Sequence, residues 1–259
     1  TMSIVRQVDH VLLHSDAPEA LFATLSETFG LPVVAPFRPQ GTFASGLLCA
    51  GNANLEPIRL GPPADARIGH ARLFGIAFEP ERLGDAIAEL DARGIKHSAP
   101  APYPHEGEMR RWTNVGIEGM APGALVFLCE YAHDIATERA EMRDDLRARN
   151  GGPLGIEALR LIEIEARDIG AAIARWDALL LPAISPERGT WICGEGPAIR
   201  VVPGDIDAIA SLTFDVRSLR DARAFLEQHD IFGGMCGRMA RIAPDALQGL
   251  DFRLREARR

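Results

Sequence analysis

One unit recurs four times along this chain: a strand, a helix, then further strands. In the first copy, residues 8–14 are β-branched and apolar and read as a strand. Asp16, Pro18 and Glu19 open a helix: Asp caps, proline suits the first turn, and a carboxylate favours the positive helix end. Leu21, Phe22, Leu25 and Phe29 follow at helical spacing, up to a stop at Gly30. Residues 41–50 and 53–60 read as strands flanking the turn signal Gly51-Asn52. The second copy has a strand at 73–78, a helix at 83–93 stopped by Gly94, and strands at 111–117 and 124–131. The third has a strand at 159–165 and a helix at 169–180; the fourth, at 212–231, matches 76–95 in length and pattern. A last strand is expected at 250–255.

Between the second and third copies, residues 136–152 are almost all charged and end on Gly151-Gly152. They read as a solvated helix or linker, and as a boundary between domains at 1–135 and 153–259. The expected fold class is α+β, with four βαβββ units paired into two domains of curled mixed sheets.

Composition narrows the function. The chain has 259 residues, 47% hydrophobic and 25% charged, which is globular rather than disordered. Its net charge is −8, and its 28 Lys and Arg are scattered, so no nucleic-acid partner is expected. No run reaches the roughly 18 apolar residues a membrane helix needs. The N-terminus lacks a signal-peptide pattern, and the four cysteines form no C-x-x-C pair. Reduced thiols and a cytoplasmic location are the expectation.

The order of units, with short matches inside them, resembles the vicinal oxygen chelate superfamily of glyoxalase I, extradiol dioxygenases and antibiotic-resistance proteins. The matches are VDHVLLHSDAPEA from Val8, the stretch from Gly41-Thr42 to Asn54-Leu55-Glu56, and VFLCEY at 126–131. The glyoxalase-like branch is the nearest in pattern. The resemblance implies a metal-centred cleft, with His and Glu on the inner faces of paired units holding two neighbouring oxygens of a substrate.

Residue by residue, His10 matches the first metal position, and imidazole is a common neutral ligand. Its bland alternative is a core histidine bonded to backbone. Glu56 shares a strand face with Ile58 and Leu60, and a carboxylate there is costly unless paired or metal-bound. It reads as ligand and proton-transfer group, or as the ion partner of Arg59 or Arg72. Glu130 shares a face with Val126 and Leu128 and reads as a further ligand and catalytic carboxylate, with Phe127 the alternative occupant of that position. The segment around His105, Arg111 and Trp112 is expected to bind substrate, or else to be a solvated loop. Where relatives carry a second His, this chain has Leu73 or Phe74, which counts against extradiol ring cleavage.

In the second half Arg160 is aligned with His10 and Pro197 with Glu56, so no ligand set is expected there. Cys236 has no His or Asp motif beside it, and Gly194-Glu195-Gly196 lacks the third glycine of a phosphate fingerprint. The leading expectation is an enzyme using Zn, Mn, Fe or Ni as a Lewis acid on a small oxygen-bearing substrate, of isomerase, lyase or hydrolase type. A metal-free small-molecule binding protein and an atypical dioxygenase are the alternatives. Monomer and homodimer both fit.

Overall fold

The structure, a computed structural model, describes residues 2–40, 42–62, 69–104, 111–120 and 124–258, with only the backbone of Gln40, Pro104 and Arg111. The first half runs β1 (Gln7–Ser15), α1 (Pro18–Ala23), β2 (Val33–Gln40), β3 (Phe43–Cys49), β4 (Asn54–Leu60), β5 (Ala71–Glu79), α2 (Leu83–Ala92), β6 (Ala101–Pro104), β7 (Arg111–Ile117) and β8 (Leu125–Tyr131). A helix, α3 (Ile135–Ala148), leads to the second half. That half runs β9 (Ile156–Ala166), α4 (Ile169–Leu180), β10 (Ile184–Glu187), β11 (Thr190–Ile192), β12 (Ala198–Pro203), β13 (Ala208–Val216), α5 (Leu219–Gln228), β14 (Phe232–Cys236), β15 (Met239–Ile242) and β16 (Phe252–Glu256).

Each half forms one eight-stranded mixed sheet, and the two orders match position for position: β2-β3-β4-β1-β5-β8-β7-β6 and β10-β11-β12-β9-β13-β16-β15-β14. The central strands β1 and β5 run antiparallel, and each pairs in parallel with the last strand of its own unit, β4 or β8. Repetition in sequence is therefore repetition in space. Strands β2 and β6 were not anticipated, because Pro36, Pro39, Pro102 and Pro104 argue against ladder pairing. Both lie at the ends of the sheet, where a missing N–H costs nothing. The first helix is shorter than its apolar spacing suggested: α1 gives way to a π-turn over Thr24–Thr28.

One continuous core runs through both halves. Phe78 on β5 meets Trp176 on α4 edge-on, with ring centroids 6.3 Å apart, and Trp176 in turn packs on Trp191. Each such aromatic contributes roughly 2–3 kcal/mol of burial. The join is close at the backbone. Gly51, at φ +92°, lies so near β9 that a Cβ would stand 2.3 Å from the Glu157 carbonyl oxygen. Asn52 completes the contact, its Oδ1 accepting from the Leu159 N–H at 3.0 Å.

The helix-facing side of the first sheet belongs to this core. The opposite, concave side carries a smaller cluster of Leu12, Ile58, Ala77, Phe127 and Cys129, with Phe74, Trp112 and Tyr131 packed against it. That side faces away from the helices and is where the cleft expected from the sequence would lie.

The pairing also corrects the alignment of the halves. In β1, Val8 pairs with Phe78 and His10 with Ala77, so Asp9 is the extra residue of a β-bulge. In β9, Leu159 pairs with Phe214 and Leu161 with Thr213, so Arg160 is the matching bulge. The residue equivalent to His10 is thus Leu161, not Arg160. Arg200 pairs with Glu163 as Glu56 pairs with Leu12, so Arg200, not Pro197, stands where Glu56 stands.

Candidate functional site

The bulge at Asp9 decides what β1 shows to the cleft. Simple alternation puts Val8, His10, Leu12 and His14 on one face. The extra residue breaks that parity, so Val8 joins the helix-side core while Leu12 lies in the concave cluster and His10 meets Phe127 there edge-on at 5.6 Å. It also lets the consecutive side chains of Asp9 and His10 meet. His10 Nδ1 stands 2.5 Å from Asp9 Oδ2, and His10 Nε2 stands 3.2 Å from Glu56 Oε2 on the neighbouring parallel strand β4. Glu56 therefore pairs with His10 and with neither arginine considered for it: Arg59 donates to the Gly61 carbonyl, and Arg72 lies over the Phe74 ring.

The far end of this relay is anchored. Asp9 is fully buried; Oδ2 also accepts from the Tyr131 hydroxyl at 2.7 Å, and Oδ1 is held by the Arg139 guanidinium. Arg139 reaches in from α3 and also grips Glu79, which accepts from Gln7 at 2.8 Å. The charged segment, expected as a solvated helix or linker, is thus a helix that joins the buried network through Arg139. Asp134 caps α3, accepting from the Thr137 N–H, and so sets where Arg139 falls.

These contacts fix the charges. Burial alone raises the Asp9 carboxyl pKa, but its hydrogen bond to His10 and the charges of His10 and Arg139 outweigh it and bring the pKa down to about 2. Burial alone lowers the His10 pKa, but hydrogen bonds to Asp9 and Glu56, with their charges, raise it to about 10. His10 is an imidazolium between two carboxylates at neutral pH. Tyr131, buried beside the Asp9 charge, keeps its proton well above its ordinary pKa. Burial likewise pushes the Cys129 thiol up, so it is not a nucleophile at neutral pH.

The other sequence candidates fall elsewhere. Glu130 does share a face with Val126 and Leu128, but that face is the helix side. Its carboxylate accepts from the Leu83 N–H at 2.7 Å and caps α2, so it is not brought to His10. Trp112 stands on the cleft side, stacked on Tyr103 at 5.9 Å. His105, Gly41 and the side chain of Arg111 lie outside the described residues. Asp9, Tyr131 and Arg139 were missed. An Asp beside a His inside an apolar strand is the one signal the sequence offered for them.

A match to a family model covers residues 8–180, described as a glyoxalase-like domain. The chain belongs to this glyoxalase-like family. Among solved structures it resembles a hypothetical protein from Staphylococcus aureus at 8% identity and TM-score 0.66, covering 97% of this chain and 99% of that one. It resembles the Mn(II)-bound glyoxalase from Novosphingobium aromaticivorans at 15% identity and TM-score 0.63, covering 98% and 82%. It also resembles the 2,3-dioxygenase LapB from Pseudomonas sp. KL28 at 14% identity and TM-score 0.61, covering 99% and 94%. No curated protein matches the chain in sequence. These likenesses place the fold in the vicinal oxygen chelate superfamily.

The superfamily implies a divalent metal, and the donors here can be tested against one. His10 Nε2 and Glu56 Oε2 face each other, and Asp9 orients the imidazole through its other nitrogen, as ligating histidines require. No third donor joins them: among the described residues there is no group of three or more His, Cys, Asp or Glu that could hold a metal ion. Phe127 stands edge-on to His10 at 5.6 Å, and Phe74 packs against the same apolar cluster. The described residues do not complete a three-ligand centre. No helix among them is long and apolar enough to cross a membrane.

Proposed function

We propose that the glyoxalase-like domain acts on a small oxygen-bearing molecule held in the concave cleft of the first sheet, and that Glu56 exchanges a proton with it. The observation that carries this reading is the buried relay from Arg139 and Tyr131 through Asp9 and His10 to Glu56. A network of this kind is costly to bury unless fully paired, and its more exposed end is the Glu56 carboxylate. The Glu56 side chain keeps 17% of its surface open, against 8% for His10 and none for Asp9. The roles follow. Glu56 takes or returns the proton. His10 holds it in place, Asp9 fixes the imidazole orientation, and the aromatic wall of Trp112 and Phe127 binds the apolar body and excludes water. The reaction class is isomerisation or lyase-type elimination and addition next to a carbonyl.

A panel of α-hydroxy carbonyl compounds incubated in heavy water tests this. The wild type is expected to catalyse deuterium incorporation beside the carbonyl of at least one compound, and Glu56→Gln to lose it. Equal exchange by both proteins, or none by the wild type across the panel, overturns the reading.

A second reading keeps a metal, favoured by the facing of His10 Nε2 and Glu56 Oε2 and by the Mn(II)-bound glyoxalase among the structural relatives. In it, His10 and Glu56 would hold Zn, Mn, Fe or Ni as a Lewis acid, with further ligands from beyond the described residues. Elemental analysis of protein purified without chelator separates the two. One equivalent of metal, lost in His10→Ala, selects the second reading.

A further inference from the structure

The second sheet has its own concave face, and it differs in kind from the first. By strand pairing, the positions of Leu12, Glu56, Phe127 and Gly75 are held there by Glu163, Arg200, Arg253 and Ser211. An apolar cleft with one acid–base relay is replaced by guanidiniums. They form a chain. Arg200 donates to Glu163 at 2.6 Å, and Arg253 bridges Glu163 at 3.2 Å and Asp251 at 2.6 Å. Arg241 donates to Asp251 from the other side at 2.6 Å. Three guanidiniums therefore share two carboxylates, a local positive surplus in a protein of net charge −8.

Two polar atoms on this face have nothing to bond. Arg200 Nε is buried without a partner among the described residues. Ser211, directly opposite Glu163 on β13 and 0% exposed, has a hydroxyl that is equally unsatisfied. A buried unpaired donor costs about 1–3 kcal/mol, and these two flank Glu163 on the strands either side of β9, so a bound acceptor would relieve a standing cost. The face remains open to receive one: the Arg200 and Arg241 side chains are 39% and 40% exposed. Forked guanidinium N–H groups match the planar or tetrahedral oxygens of an oxyanion.

We infer that the concave face of the second sheet is a binding site for a small oxyanion, a carboxylate or a phosphate monoester, gripped by Arg200, Arg253 and Ser211. The site is independent of Glu56 and of the reading given to the first cleft. The positions that hold the His10–Glu56 pair and its apolar surround in the first sheet carry a different chemistry in the second.

The test titrates inorganic phosphate, and separately malonate, into the full chain, with chloride at matched ionic strength as reference. The Nε–Hε resonance of Arg253, which all the variants retain, is followed by NMR. It is expected to move saturably with phosphate, malonate or both; which one distinguishes a phosphate from a carboxylate ligand. Arg200→Met and Ser211→Ala should each weaken that binding by about tenfold or more, the loss of one charge-assisted hydrogen bond. Arg200→Lys, which keeps the charge and loses the fork, should fall between wild type and Arg200→Met. Glu56→Gln should leave the titration unchanged. A response no different from chloride for both anions overturns the proposal, as does saturation that persists unaltered in Arg200→Met.

Discussion

Replacing Arg139 with methionine removes the side chain that ties α3 to Asp9 and Glu79. The Arg139 side chain is 14% exposed, and its carboxylate partners Asp9 and Glu79 are 0% and 7% exposed. Losing one member of a fully buried ion pair costs about 3–5 kcal/mol, because the remaining charge stays unsolvated. Here the cost is partly relieved. Asp9 Oδ2 keeps His10 and Tyr131, and Glu79 keeps Gln7 and a longer contact to Arg6 at 3.4 Å. Asp9 Oδ1 is left with no partner, which sets a floor of about 1–3 kcal/mol. The expected loss is therefore about 2–4 kcal/mol, or a fall in Tm of about 5–15 °C for a chain of this size. Urea unfolding followed by circular dichroism measures it. The control is Arg143→Met, one turn further along α3, whose partner Glu195 is 75% exposed. That loss should stay below about 1 kcal/mol. If Arg139→Met costs no more than Arg143→Met, α3 does not hold the relay and the anchoring argument fails.

Three further outcomes follow from the same contacts. His10 is held above its ordinary pKa of 6.5, up to about 10, so its pairing stabilises the fold fully below about pH 6.5 and is lost as pH rises towards 10. Asp9 is held down at about 2 from 3.8, so its share is present above about pH 4 and lost as pH falls towards 2. Unfolding free energy against pH, wild type minus Asp9→Asn, should show a plateau between those limits; a difference flat to pH 10 refutes the imidazolium. Gly51→Ala should cost more than the roughly 1 kcal/mol of an ordinary glycine change, because both the φ of +92° and the Glu157 carbonyl oppose a Cβ. A denaturation midpoint equal to wild type would show that the halves separate readily there. Glu130→Ala should lose about 0.5–2 kcal/mol as an α2 cap while leaving deuterium exchange intact; loss of exchange in a stable variant would return Glu130 to the site.

Much of the architecture was legible because it is local and repeated. Strand and helix periods recur four times, and a repeat in the chain becomes a repeat in space whenever each copy must bury its face against the next. His10 and Glu56 were legible for the same reason: a polar side chain inside an apolar strand must be paired, and the sequence displays the exception. Which face each residue takes was another matter. Strand β8 is buried from Val126 to Cys129 on both of its faces, so alternation groups Glu130 with Val126 and Leu128 without saying whether that group meets helices or cleft. The bulges at Asp9 and Arg160 shift parity by one, and nothing in a run of apolar residues marks which position will be extra. The anchors were least visible of all. Tyr131 and Arg139 lie 122 and 130 residues from Asp9, and only the closing of the sheet and the docking of α3 bring them there. Sequence alone determined the repeating units and the two residues whose polarity their strands could not hide. Tertiary structure decided their partners, because pairing across a curled sheet depends on register and closure, which no single strand contains.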